Sequence, residues 1–255
     1  MTFPVHPCKL DDEGLVTPAA MLAHRRRGGR LPDLPPVDAA VLCLQRGLPE
    51  RLRRKVGLRR IGRLMGDLYV VRRTTRTIVV LTDFGLGAPI VAAQAEELIA
   101  MGARRLVSVA LAGGLQTDLS PGDVLVPDTA VRDEGTSYHY LPRDVPAVAD
   151  EELAHALAAA LGPHVRRGPV WSTDAPYRET RREVLAHQAA GVLAVDMESA
   201  ALLAVAARRA VAAASVLVVG DSLAGGAWVP PTRLDGMERS LATAYRAAIE
   251  VLDAV

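Results

Sequence analysis

Two acidic residues stand between an apolar run and a helix: Asp196 directly follows the apolar run at residues 192–195, and Glu198 directly precedes an alanine-rich run that predicts a helix. The apolar run predicts a buried strand, so both acids stand at its carboxyl end. Ligands of α/β proteins bind in the crevice beyond the carboxyl ends of the strands, so an acid there is predicted to face a substrate. The N-terminus of the helix needs only one acid. We therefore interpret Asp196 as a capping residue and Glu198 as a ligand-binding residue.

Two glycine-containing turns, at Gly47 and at residues 85–87, each stand between a predicted strand and a predicted helix. Glycine allows the backbone to approach a ligand closely, and the N-terminus of a helix binds anions. Gly47 with Arg51 therefore forms a candidate anion site, although an ordinary strand-to-helix turn is the simpler explanation. Gly85 and Gly87 lack the spacing of a dinucleotide fingerprint, which argues against a dinucleotide cofactor.

Alternating strands and helices must position these residues. Apolar runs predict strands, and longer periodic runs predict helices. The predicted strands are residues 38–44, 68–73, 77–82, 105–111, 124–126, 168–172, 192–198 and 213–219. The predicted helices are residues 18–27, a basic helix after Gly47, and residues 90–101, 150–161, 178–190, 199–209 and 233–254. This alternation predicts one α/β domain, residues 37–255, with a mixed central sheet and helices on both faces, preceded by an N-terminal arm, residues 1–36.

Composition restricts the classes of partner. The chain has 255 residues, of which 50% are hydrophobic, and a net charge of +1, so neither nucleic acid nor an anionic membrane is predicted to bind. Residues 25–27 and Arg30 form a local cluster of arginines, interpreted as a solvated face or a subunit contact. Cys8 and Cys43 have no metal-ligand spacing, and no apolar run reaches the roughly 18 residues that span a bilayer. We expect a soluble, reduced, cytoplasmic protein without a metal.

Several segments resemble one known family. Residues 195–201, Val-Asp-Met-Glu-Ser-Ala-Ala, resemble the signature of the nucleoside phosphorylase superfamily, which includes uridine phosphorylases, hexameric purine nucleoside phosphorylases and methylthioadenosine nucleosidases. Four more segments resemble segments of that family in the same order: residues 47–51, 82–89, 112–123 and 132–142. Together the matches span about residues 41–228. The resemblance implies a partly closed central sheet and an enzyme that cleaves the N-glycosidic bond of a nucleoside.

The resemblance also assigns roles to single residues. Met197 and Glu198 would hold the ribose, because a carboxylate on the sugar hydroxyls stabilises the positive charge of an oxocarbenium-like transition state. His139 would contact the ribose, or alternatively face a partner subunit. Asp221 would act as the general acid at a ring nitrogen of the base, or alternatively be a capping or turn residue.

The remaining implied roles concern the base and an anion. Tyr177 and Trp228 would line the base pocket, although Trp228 packing against the C-terminal helix is an equal alternative. Gly47, Arg51, Gly85 and Gly87 would bind phosphate. Residues 174–182 lack the glutamine of the family's pyrimidine-reading Gln/Arg pair, which favours a purine.

Two positions depart from the phosphorolytic members of the family. Ser108 stands where those members have an arginine, and Leu111 where they have a threonine, and both family residues bind phosphate. Three alternatives therefore remain open: a phosphorylase with phosphate as co-substrate, a nucleosidase that uses water, and a nucleoside-binding relative with reduced catalysis. No other cofactor is implied. The resemblance implies a homo-oligomer, a dimer or a trimer of dimers, to which the N-terminal arm would contribute.

Overall fold

The computed structural model describes residues 6–29, 31, 34–231 and 234–255. Ten strands lie in these residues: β1 Ala39–Cys43, β2 Leu58–Arg63, β3 Asp67–Val71, β4 Ile78–Thr82, β5 Arg105–Gly114, β6 Val124–Asp133, β7 Ala147–Val148, β8 Arg166–Thr173, β9 Ala194–Asp196 and β10 Ala212–Ser222. Seven α-helices lie between and around them: α1 Pro18–Arg27, α2 Leu48–Val56, α3 Ala88–Ala100, α4 Glu151–Leu161, α5 Arg181–Ala189, α6 Ser199–Arg209 and α7 Asp235–Ala254.

All ten strands form one mixed sheet, and part of it closes on itself. The strand order is β10-β6-β8-β9-β5-β1-β4-β3-β2, with β7 paired to β6. Because β10 also pairs with β5, the five strands β5, β10, β6, β8 and β9 complete a ring. The remaining strands β1 to β4 extend the sheet outward from β5. The predicted mixed and partly closed sheet is confirmed.

Helices cover the sheet in two groups. Helix α6 packs against α3 and against β10 and β6, whereas α7 packs against α4 and against β1, β5 and β10. Strands β1 and β4 are buried along their whole length, as uninterrupted apolar strands between two layers of helices should be. Strand β10, which carries Asp221, packs against helices of both groups.

The N-terminal arm contains the predicted helix, which is α1, and this helix packs on α3. The guanidinium of Arg25 donates to Glu97 Oε1 at 3.0 Å and to the carbonyl of Leu64 at 3.0 Å. Arg25 is thus neither solvated nor free for another subunit, because it forms a largely buried ion pair with its own domain. Residues 1–5, Arg30 and residues 32–33 of the predicted arm lie outside the described residues.

Several element bounds differ from the prediction. Strand β6 continues to Asp133 instead of ending at residue 126, because its polar end pairs with β8 and its side chains find partners there. The guanidinium of Arg132 donates to the carbonyl of Pro142, and Asp133 accepts from the indole N–H of Trp171. Strands β2 and β7 were not predicted. Helix α5 begins at Arg181 instead of 178, and α7 at Asp235, whereas its predicted start, Arg233, lies outside the described residues.

Candidate active site

A cavity of about 870 Å³ opens at the carboxyl ends of the parallel strands β1, β5 and β10. Strand β9 runs antiparallel to β5 and pairs only with its last residues, Gly113 and Gly114, and the residues that follow β9 line the same cavity. The residues that line the cavity include Gln45, Leu86, Leu111, Gly113, Tyr177, Glu179, Arg181, Asp196, Met197, Glu198, Asp221 and Trp228. Five of the residues proposed from the sequence to bind ribose or base are therefore brought together here: Met197, Glu198, Asp221, Tyr177 and Trp228.

Glu198 is held against a glycine loop. Its side chain is buried, and its Oε1 accepts a hydrogen bond from the backbone N–H of Gly87 at 2.6 Å. Its Oε2 accepts from the N–H of Met197 at 3.2 Å. Gly87 has a φ of 101°, which a residue with a Cβ rarely adopts, so the loop needs glycine to aim this N–H. Burial raises the pKa of Glu198, and repulsion by Asp196 adds to the rise.

Asp196 is committed to structure. Its carboxylate accepts from the backbone N–H of Ser199 at 3.0 Å and from the hydroxyls of Ser199 and Ser172. Ser199 is the first residue of α6 and Glu198 occupies the N-cap position, so Asp196 binds the first N–H of the helix from two residues before the N-cap, which is a structural role. Burial raises the pKa of Asp196, although these hydrogen bonds act in the opposite direction. The bonds fix the junction between β9 and α6, and through it the position of Glu198.

Asp221 and Trp228 interact directly. The indole N–H of Trp228 donates to Asp221 Oδ2 at 2.8 Å. Trp228 is 64% exposed, so it lies at the rim of the cavity and is not packed into the protein against the C-terminal helix. Gly113 leaves room for Asp221, because a Cβ at Gly113 would lie 3.0 Å from Asp221 Oδ1. Tyr177 is 99% exposed at the same rim.

Two charged residues of the cavity were not predicted. Glu179 and Arg181 both line it, on the segment that joins β8 to α5. Burial, with a smaller contribution from the negative charge of Asp221, raises the pKa of Glu179 to about 7. A perturbed carboxyl in a cavity is a common property of functional residues. The sequence feature that could have singled out Glu179 is the pair Thr180 and Glu183, because it marks a helix start beyond Glu179 and so places Glu179 outside the helix.

His139 is not brought to the cavity. It ends a short 3-10 helix, Ser137–His139, that packs against α6, and within the described residues its buried Nδ1 has no hydrogen-bond partner. Burial, followed by the positive charge of Lys9, lowers its pKa. The geometry of the single chain therefore does not place His139 in contact with a ribose in this cavity.

The residues predicted to bind phosphate are only partly assembled. Gly47, Arg51, Gly85 and Gly87 are not on the wall of the cavity, although Gln45 and Leu86 nearby in the chain are. Arg51 Nη1 lies 3.5 Å from the position of a Cβ at Gly47, so the guanidinium folds back over the turn. Gly87 donates its N–H to Glu198. Their proposed role in binding phosphate stays a prediction.

The two departures from the family pattern differ in position. Ser108 is buried below the cavity, where its hydroxyl bonds to the hydroxyl of Ser215 at 2.8 Å. Ser215 in turn lies 3.0 Å from the hydroxyl of Ser199, so Ser108 joins the network around Asp196. Leu111 lines the cavity and places an aliphatic side chain on its wall.

The described residues contain neither a candidate metal site nor a candidate membrane-spanning helix. No group of three or more histidine, cysteine or acidic side chains in them is arranged to hold a metal ion. Within that same part of the chain, no helix is long and apolar enough to cross a membrane.

Comparison with known proteins gives consistent matches. A family model described as the phosphorylase superfamily matches residues 43–255. Guanosine phosphorylase from Halorubrum lacusprofundi is 32% identical over 153 residues, which are 59% of this chain and 64% of that protein. Uridine phosphorylase from Escherichia coli is 34% identical over 155 residues, which are 54% of this chain and 61% of that protein. These two alignments span less than two thirds of either relative.

A solved structure extends the likeness to most of the fold. The crystal structure of uridine phosphorylase from Vibrio fischeri ES114 matches with a TM-score of 0.70 and 26% sequence identity. The match covers 85% of this chain and 93% of that chain.

Proposed function

The chain belongs to the phosphorylase superfamily, and from this premise we propose that it is an enzyme that cleaves the N-glycosidic bond of a nucleoside, with phosphate as the attacking co-substrate and a purine as the base. One observation carries the proposal: Met197, Glu198 and Asp221, which the resemblance assigns to ribose and base, line a single cavity. The two curated relatives described above are named for guanosine and uridine, so the class of base is a proposal of its own.

Glu198 would act on the sugar. Bond cleavage leaves positive charge on the ribose, and a buried carboxylate near the ribose hydroxyls stabilises that charge most strongly in the transition state. Its two backbone hydrogen bonds hold the carboxylate in place before the substrate arrives, so little reorganisation is required. Met197, the adjacent residue on the wall, would pack against the ribose.

Asp221 would act on the base. The departing base gains electrons as the bond to C1′ breaks, and a proton from a carboxylic acid to a ring nitrogen lets a purine leave as a neutral molecule. Phosphate oxygen forms the new bond to C1′, which gives ribose 1-phosphate and the free base. The indole N–H of Trp228 binds Asp221 Oδ2, so the other carboxyl oxygen, Oδ1, which lies beside Gly113, would be the one that acts on the base.

A second candidate is hydrolysis, in which water attacks C1′ and the products are ribose and the free base. Two observations favour it. Leu111 offers no hydrogen bond to phosphate on the wall of the cavity, and the N–H of Gly87 is already bonded to Glu198. An unbonded phosphate oxygen in such a cavity would lose hydration without compensation. Neither reaction needs a metal or an organic cofactor.

The test is to incubate the protein with adenosine, inosine, guanosine and uridine, with and without inorganic phosphate, and to measure free base, ribose and ribose 1-phosphate. Base and ribose 1-phosphate that form only with phosphate support phosphorolysis. Base and ribose that form without phosphate support hydrolysis and exclude obligate phosphorolysis. Saturable binding without product would contradict both reactions and indicate a nucleoside-binding protein.

We further propose, from the two cysteines without metal-ligand spacing, that the protein is cytoplasmic, and, on the family resemblance alone, that it assembles as a dimer or a trimer of dimers. Sedimentation of the purified full chain tests the assembly, since a monomer at micromolar concentration would contradict it.

A further inference from the structure

Four serine hydroxyls lie in the core beneath the cavity, around the carboxylate of Asp196. They belong to Ser108, Ser172, Ser199 and Ser215, and all five residues are at most 5% exposed. Ser108 on β5 and Ser215 on β10 are register partners, as are Ser172 on β8 and Asp196 on β9. The cluster therefore joins four strands of the ring to Ser199, the first residue of α6.

Three of these hydroxyls form a chain of hydrogen bonds with a single direction. Asp196 Oδ2 accepts from the hydroxyl of Ser199, which uses the one proton of that hydroxyl. The hydroxyl oxygens of Ser199 and Ser215 are 3.0 Å apart, so Ser215 donates and Ser199 accepts. By the same argument Ser108 donates to Ser215, whose hydroxyl oxygen lies 2.8 Å away. Every donor points towards the carboxylate, and hydrogen bonds in such a chain strengthen one another.

Asp196 connects this chain to Glu198. Its Oδ2 also accepts the backbone N–H of Ser199 at 3.0 Å, so the carboxylate closes a turn that contains Glu198. Glu198 has a φ of −133° and a ψ of −34°, outside the helical region, so the closed turn and not the helix sets its backbone. Ser172 completes the junction, because its hydroxyl donates to Asp196 Oδ1 and accepts the N–H of Ala200 at 3.0 Å.

Stability alone does not account for the chain. A buried pair of hydrogen-bonded groups contributes little net free energy, and apolar replacement of both partners can be neutral or stabilising. The neighbours of Ser108 and Ser215 on both strands are apolar, so two alanines would continue the pattern of the strands. We propose that Ser108, Ser215 and Ser199 are positioning residues that hold Glu198 in place through Asp196. This inference rests on the proposed function, in which Glu198 acts on the ribose.

The test is a double-mutant cycle on kcat and KM, with Ser215→Ala, Glu198→Gln and the variant that carries both changes. Ser215→Ala interrupts the chain in its middle, so Ser199 loses a donor and Ser108 loses its acceptor. We expect kcat to fall by about tenfold, the effect of roughly one hydrogen bond, and KM to change by less than about threefold, because the carboxylate acts mostly on the transition state. With Glu198→Gln already present, Ser215→Ala should lower kcat by less than about twofold, because the charge that the chain positions is gone.

Two further variants, with urea unfolding of all of them, distinguish positioning from a purely structural role. Ser108→Ala removes only the outer link, so kcat should fall by about two- to threefold, less than in Ser215→Ala. The control is Thr74→Val on the turn between β3 and β4, which removes a hydroxyl that donates to the carbonyl of Arg76 at 2.8 Å and should leave kcat unchanged. If Ser215→Ala does not fold, Ser108→Ala takes its place in the cycle.

The inference is wrong, while the proposed function stands, if the serine variant lowers kcat by the same factor with and without Glu198→Gln, or if it lowers stability alone. Calorimetric binding of adenosine, inosine and uridine separates the two proposals. A wild type that binds a nucleoside without cleaving it contradicts the proposed function. The inference then predicts that Ser215→Ala weakens binding by about tenfold in the wild type and by less than about twofold in Glu198→Gln. Equal affinity of the wild type and Ser215→Ala without turnover, or binding of no nucleoside, would overturn both proposals.

Discussion

Replacing Glu198 with glutamine should lower kcat/KM for nucleoside cleavage by roughly 100- to 1,000-fold, equivalent to about 2.7–4 kcal/mol of transition-state stabilisation. The reason is the loss of negative charge close to the ribose, where positive charge develops during bond cleavage. Glutamine retains one oxygen that can accept the N–H of Gly87, which the carboxylate accepts at 2.6 Å. Its NH₂ group would then face the N–H of Met197, so two donors would oppose each other.

The structural cost of that change should be smaller than the catalytic cost. One charge-assisted hydrogen bond is lost, worth about 1.5–3 kcal/mol. Against this loss, the variant no longer buries a carboxylate beside that of Asp196, which raises the pKa of Glu198 and therefore disfavours its ionised form. We expect the free energy of unfolding to change by no more than about 2 kcal/mol, because the two effects oppose each other.

The assay is release of free base under the conditions in which the wild type is active, together with urea unfolding of both proteins. A folded variant that retains activity within about threefold of the wild type would refute the assignment of Glu198, since an electrostatic role predicts a far larger loss. A variant with little activity that is also largely unfolded would be replaced by Glu198→Asp, which keeps the charge but shortens the side chain. Glu198→Asp should lose activity because its carboxylate is displaced, since its charge is unchanged.

The remaining predictions concern stability. Gly66→Ala should destabilise the fold by about 3 kcal/mol or more, because its Cβ would lie 2.1 Å from the carbonyl oxygen of Thr82. The control is Gly236→Ala, whose Cβ would meet no atom within 4 Å and which should be neutral or stabilising. Equal urea midpoints of the two variants would contradict the steric argument. The pKa of Glu179 is raised from 4.5 to about 7, so between these pH values the folded state binds more protons than the unfolded state and stability falls as pH rises. The stability of Glu179→Gln relative to the wild type should therefore be greater at pH 7.5 than at pH 5, and the same difference at both pH values would show that the shift is absent.

The fold was predictable where strands are buried on both faces. Strands β1 and β4 consist of uninterrupted apolar and small residues, so their position was visible in the sequence. Strand β2 was not visible, because only Leu58 of its six residues is buried and three of the other five are arginines. The length of β6 was underestimated because its polar end is stabilised by pairing with β8, which no local pattern reveals.

The site was predictable from family-like segments but not from charge patterns. Met197 and Glu198 lie in the segment at residues 195–201 that resembles a family signature, the resemblance assigns Asp221 as a single position, and all three line the cavity. Glu179 lies in the charged run at residues 178–183, which is typical of a solvated helix. It was not predicted as a site residue because the helix was predicted to start at residue 178. The contact of Ser108 with Ser215 joins residues 107 positions apart, so the sequence alone gave no sign of the buried network.

Five strands close into a ring, and among the described residues β2 is the border strand at the other end of the sheet. A strand with unpaired backbone groups invites pairing with a strand of another molecule, and charged side chains are the usual protection against it. Arg59, Arg60 and Arg63 are exposed on β2, and only part of their charge is balanced by Asp67, which Arg60 contacts at 2.7 Å. Two such borders would repel each other, so we expect the arginines of β2 to disfavour pairing of this border with a second copy of the chain.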